Sequence, residues 1–140
     1  MTEKFKILAK YIKDISSETP DIETFFFVKE NISKYHLNID ITSNALKNKL
    51  IEVNTTLKFE DKEPNEKKSY YEIVYATVIK VDEDIKEKKD LEKIILCDVQ
   101  TAIYPDLEKS LLDLIHNSGF PEVKFEKKVN FEELYTQRLG

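Results

Sequence analysis

Ile51-Glu52-Val53-Asn54-Thr55-Thr56-Leu57-Lys58-Phe59 alternates apolar and polar residues along its whole length. That is the period of a half-buried β-strand. Ile51, Val53, Thr55, Leu57 and Phe59 line one face, and Glu52, Asn54, Thr56 and Lys58 the other. Upstream, Leu37, Ile39 and Ile41 alternate with Asn38, Asp40 and Thr42. Further upstream, Phe5, Ile7, Ala9 and Tyr11 share one face against Lys6 and Lys10, with Leu8 and Ile12 interrupting the polar side. Downstream, a charged run at 60–68 carries Pro64-Asn65 and reads as a turn. It delivers a strand over 71–81 that is apolar on both faces and therefore needs cover on two sides, one from helices and one from a partner. Four strands with short links predict an antiparallel sheet.

The second half of the chain carries helical signals. Pro105 suits a first helical position, with Asp106 and Glu108 beside the positive end of the dipole. Leu107, Leu111, Leu114 and Ile115 then form one apolar stripe, and Gly119 is a left-handed stop. Leu91, Ile94, Ile95 and Cys97 predict an earlier helix over 90–101, after a charged linker at 82–89. Asn130 as cap, Glu133 three residues on, and Val129 with Leu134 in staple positions predict a third, short helix. Strands first and helices after give an α+β fold.

Composition narrows the function classes. The chain has 140 residues and a mass of 16.5 kDa, the size of one domain spanning 1–140. Twenty-two basic residues against 27 acids leave a net charge of −5, and Arg138 is the only arginine, so nucleic acid is not the expected partner. Gly119 and Gly140 are the only glycines, too few for a phosphate-cradling loop. One cysteine, Cys97, excludes an internal disulfide framework and disfavours a cysteine-based zinc site. No apolar run is long enough to span a membrane, and the start of the chain lacks a secretory h-region. The expectation is a cytoplasmic protein without metal or cofactor.

Catalytic residues are hard to place. Cys97, His36 and His116 fall in different elements with no motif around them. Cys97 reads as a small buried hydrophobe. His116, at a helix end, reads as a partner of the dipole and of a carbonyl. His36 reads as a filler at a strand start, and carboxylate pairs such as Asp82/Asp84 are expected among so many acids. No catalytic residue is assigned. Two features ask for a partner instead. Phe25-Phe26-Phe27 does not alternate, so one ring at least is left for an open groove or a subunit contact. The doubly apolar strand over 71–81 argues for an oligomer.

Tyr11-Ile12-Lys13-Asp14-Ile15-Ser16-Ser17-Glu18-Thr19-Pro20 resembles the N-terminal signature of the SecB family of bacterial protein-export chaperones, Tyr-x-Lys-Asp-(Ile/Leu)-Ser-x-Glu-x-Pro. Gly119-Phe120-Pro121 followed by Val129-Asn130-Phe131-Glu132-Glu133-Leu134-Tyr135 is similar to the family's Gly-Phe-Pro…Val-Asn-Phe-x-x-Leu-Tyr ending. The chain departs from the family pattern where Val99-Gln100 stands for the usual Cys-Pro, and where Ala76 stands near a common glycine.

The resemblance implies an α+β protomer, a four-stranded antiparallel sheet with helices on one face, assembling as a dimer of dimers. It implies an ATP-independent chaperone that binds unfolded precursor proteins and delivers them to SecA, the translocase motor. Asp14, Glu18 and Glu72, with Tyr70 at a position usually leucine, match the family's SecA contacts. Phe25, Phe26, Phe27, Tyr71, Ile73 and Tyr75 are assigned to its client groove. An extended apolar groove suits an unfolded chain, which offers apolar side chains and free backbone. The alternative is a dedicated secretion or antitoxin-type chaperone, which would hold one partner tightly. A small α+β enzyme would need a pocket acid or nucleophile.

Overall fold

The computed structural model describes residues 4–63, 67–125 and 128–139, so the expected turn at Pro64-Asn65 lies outside the described residues. Strand β1 (Phe5–Glu18) leads into helix α1 (Ile22–Asn31) and a 3-10 turn (Ile32–Lys34). Strands β2 (Tyr35–Ala45), β3 (Leu50–Asp61) and β4 (Tyr70–Val81) follow. Helix α2 (Lys88–Lys93), a π turn (Ile94–Asp98) and helix α3 (Val99–Asn117) form one continuous rod, and α4 (Phe131–Leu139) closes the chain. The sheet order is β1-β4-β3-β2 and every pair is antiparallel.

The alternation read from β3 carries through the register. Ile39, Leu57, Ile73 and Ile15 form one row across all four strands, with Leu37, Phe59, Tyr71 and Ser17 beside it. Leu57, Tyr71, Ile73 and Ile79 of that face are wholly buried. The helices cover it. Ile103, Leu107, Leu111 and Ile115 of α3, spaced one turn apart, are all fully buried. Each such side chain contributes about 1.5–3 kcal/mol over leaving it in water. One buried polar pin fixes the rod on the sheet. Gln100 accepts from the Thr55 hydroxyl at 2.8 Å and donates to the Ile95 carbonyl in the π turn at 3.1 Å. A buried amide is tolerable only with such partners.

Three expectations are corrected. First, the strands do not all precede the helices. Residues 22–31, with the Phe25-Phe26-Phe27 run, form α1, which carries the chain from β1 to β2 at the opposite edge. The signal for it is local: Asp21 caps the helix by accepting from Thr24 N–H at 2.7 Å. Second, Pro105 lies inside α3 and does not start it. Pro105 and Thr101 both sit on the exposed side, so the carbonyl that proline leaves without an amide partner is on the wet face. Third, β1 slips register between Ile7 and Ala9 and again between Ile12 and Asp14. Each bulge moves the following side chains to the other face of the sheet. Ala9 and Tyr11 therefore oppose Val78 and Ala76 on the outer face, away from Phe5 and Ile7. Lys10 turns toward the helices, where it pairs with Asp106 of α3 at 3.5 Å.

Candidate functional site

The second bulge of β1 builds the first surface. It places Asp14 opposite Val74, Ser16 opposite Glu72 and Glu18 opposite Tyr70. Asp14, Glu18, Tyr70 and Glu72 thus gather at one end of the sheet, on the face that carries no helix. Asp14 accepts from the Ser16 hydroxyl at 2.8 Å. Among the described residues, no ion pair within 4.0 Å engages Asp14, Glu18 or Glu72. Their charge stays available to solvent or to a basic partner. Further along the same face, Glu52 accepts from Lys13 at 3.1 Å and from Asn54 at 2.9 Å. Those hydrogen bonds hold its carboxyl below the ordinary glutamate range.

The second surface is an open groove of about 1100 Å³ along the β2 edge. Ile32, Tyr35, Leu37, Ile39 and Phe59 supply one side. Val123 and Phe125 supply the other, and Val129, Glu133, Leu134 and Gln137 close the end. Phe125 meets Phe59 edge-on with ring centroids 5.6 Å apart, and Tyr35 lies against Phe59 at 5.4 Å. Lys124, Lys128, Glu122 and His36 ring the apolar floor with charged and polar groups. An apolar trough with a polar rim, open to solvent, suits a segment of extended chain.

Of the six residues assigned to a groove from sequence, none lines this one. Tyr71 and Ile73 are fully buried, and Tyr75 is 8% exposed, because odd positions of β4 point under the helices. Burial pushes the Tyr71 hydroxyl pKa up, with the Ser69 and Thr19 hydroxyls partly offsetting it. Phe25 stacks on Phe120 at 5.1 Å and serves packing, while Phe27 is half-buried. Only Phe26, at 56% exposed, presents its ring to solvent, beside the exposed Ile22. The groove residues that sequence reasoning did not assign come from the 3-10 turn, from β2 and Phe59 of β3, and from the C-terminal segment over 122–137. The alternation of Leu37 and Ile39 marked them as apolar, but their neighbours across the groove are distant in sequence.

Cys97 is buried, and burial together with neighbouring Asp98 pushes its thiol pKa up, so it stays protonated and unreactive. No cluster of three metal-ligating side chains occurs among the described residues. Among those residues no helix is long and apolar enough to cross a membrane.

The model of the SecB family, described as preprotein translocase subunit SecB, matches residues 1–140. The chain belongs to the SecB family. A protein-export SecB relative from Pelagibacter ubique (strain HTCC1062) is 57% identical over 140 residues, covering 100% of both chains. The protein-export protein SecB of Mesorhizobium japonicum is 23% identical, covering 96% of this chain and 78% of its own. Among solved structures, the Mycobacterium tuberculosis SecB-like chaperone in complex with a ChAD peptide from the HigA1 antitoxin superposes with a TM-score of 0.61. That match has 12% identity and covers 89% of this chain and 91% of the other. It carries the fold alone. SecB membership makes this chain a protein-export chaperone and not an enzyme.

Proposed function

We propose that this SecB chain binds unfolded precursor proteins in the groove along β2, without ATP, and hands them to SecA through the helix-free end of its sheet. The observation that carries the client half is the open groove of about 1100 Å³ itself, apolar at its floor and polar at its rim. An unfolded segment gains burial of its own apolar side chains there without any sequence being read. Phe26 and Ile22, exposed on α1, are offered as a further apolar contact for the same client.

The SecA half rests on Asp14, Glu18, Tyr70 and Glu72, which share one end of the outer face. Three carboxylates with no ion pair among the described residues, around one exposed tyrosine, suit a basic docking segment with an apolar anchor. We place the protein in the cytoplasm, as a dimer of dimers. Four chains of −5 would carry −20 and steer basic partners over a distance of about a Debye length. Several grooves in one assembly would raise client avidity through effective concentration. The antitoxin-peptide chaperone shares only the fold, whereas the 57% identical relative is named for protein export, which favours many clients over one.

Charge reversal tests the assignment. Asp14→Lys with Glu18→Lys should weaken SecA binding by about tenfold or more at low salt. Uptake of an unfolded precursor, measured separately by calorimetry, should stay as in the wild type. Loss of both together would make the acidic end a structural element, and a wild type indifferent to unfolded chains would remove the client reading.

A further inference from the structure

One wall of the groove is held by very little. Helix α3 ends in a Schellman turn, with Gly119 N–H on the His116 carbonyl and Phe120 N–H on the Ile115 carbonyl. Phe120 then drops into the core against Phe25 and Tyr71. Beyond it the backbone of 121–125 is irregular. Among the described residues it makes one main-chain hydrogen bond, Val123 N–H to the Phe120 carbonyl at 3.3 Å. Yet Val123 and Phe125 of this stretch line the groove.

A second bond comes from a side chain. His116, in the last turn of α3, brings Nε2 to 2.8 Å from the Val123 carbonyl. A carbonyl only accepts, so Nε2 carries the proton, as it does in one neutral tautomer and in the imidazolium. The bond spans the Gly119 turn and ties the groove wall directly to the long helix. With Phe125 against Phe59 on the far side of Val123, the wall is pinned at two points.

We propose that His116 is a positioning residue for client binding. It holds Val123 and Phe125 at the spacing that leaves the groove open for an extended chain. A wall already bonded loses less freedom when a client settles, so affinity rises without an added contact. The inference rests on the reading of the groove as the client site. It gives His116 a task that a helix-end cation would not have, because the carbonyl it serves lies outside the helix.

The test uses the full chain and reduced, carboxymethylated lactalbumin as an unfolded probe. In His116→Gln the amide nitrogen stands as many bonds from Cα as Nε2 does. In His116→Asn it falls one bond short, and His116→Leu has no donor. His116→Gln should bind the probe within about twofold of wild type. His116→Asn and His116→Leu should bind about five- to tenfold more weakly, the worth of one hydrogen bond. Exchange of the Val123 amide should quicken in those two variants while exchange in the middle of α3 is unchanged. That local change separates a loosened wall from a general loss of stability. Equal binding by all four proteins, or a glutamine variant as weak as the leucine one, would overturn the proposal. A wild type that takes up no lactalbumin would overturn the client reading instead, and the exchange comparison would still decide whether His116 holds the wall.

Discussion

Gly119 shows how tightly one position can be specified. Its φ is +108°, outside the range that side-chain-bearing residues adopt at low cost. A Cβ there would stand 2.5 Å from Phe25 Cε2, on a ring that is itself stacked against Phe120. Both penalties act at once in Gly119→Ala. The backbone part costs about 1–2 kcal/mol and the overlap about 1–3 kcal/mol, so the variant should lose about 2–5 kcal/mol in urea unfolding. Adding Phe25→Ala removes the obstructing ring, so the double variant should lose clearly less than the two singles combined. Simple additivity would mean that the ring moves aside freely and the turn does not depend on it. Gln100 makes the complementary point. It stands where the family pattern has proline, and its buried amide is accounted for at both ends, by Thr55 and by the Ile95 carbonyl.

Elements were legible where periodicity was regular and illegible where one residue changed the count. Strands β2 and β3 follow their alternation, and in the doubly apolar β4 it is Tyr71, Ile73 and Ile79 of one face that lie buried under the helices. Strand β1 does not: Leu8 and Ile12 break its alternation, but that break alone does not say that the strand bulges beside them. Those bulges nonetheless decide the site: the second one turns Asp14, Ser16 and Glu18 outward together. Helix α1 was hidden by Phe25-Phe26-Phe27, which has β-like composition, although its Asp21 cap was readable. The groove was not readable, because its two sides meet only after β2 and the 122–125 stretch are brought together. The outer face also carries a pH signature. Hydrogen bonds from Asn54 and Lys13 lower the Glu52 pKa below its ordinary value of 4.5. A depressed acid contributes stability above its unfolded pKa and loses it as pH falls through the folded one. The stability gap between wild type and Glu52→Gln should therefore be full near neutrality and shrink as the pH drops below about 4.5. A gap that stayed constant down to pH 3 would show that the Lys13–Glu52–Asn54 link is not made in solution.

At the scale of the whole molecule, β1 is the feature that a single chain leaves unresolved. It is a 14-residue edge strand with an open row of backbone donors and acceptors. Leu8, Tyr11, Ile12 and Ile15 along it are each between 44% and 53% exposed. A long apolar edge of that kind is a template for pairing with another chain, and soluble proteins blunt such edges or cover them. The lysines at positions 6, 10 and 13 blunt this one only in part, because Lys10 and Lys13 are turned to Asp106 and Glu52. A second copy covering the edge accounts for the apolar residues and leaves the β2 groove, at the opposite edge of the sheet, accessible. Light scattering after size exclusion should then give a mass near four chains for the wild type. Ile12→Lys with Ile15→Lys sets two charges on half-exposed edge positions, so it should reduce that mass while circular dichroism stays the same. Each chain would keep its groove, so the smaller species should still take up an unfolded precursor, about ten- to a hundredfold more weakly once multivalency is lost. An unchanged mass would move the assembly contact away from β1. Unchanged affinity in a smaller species would mean that one groove holds a client by itself.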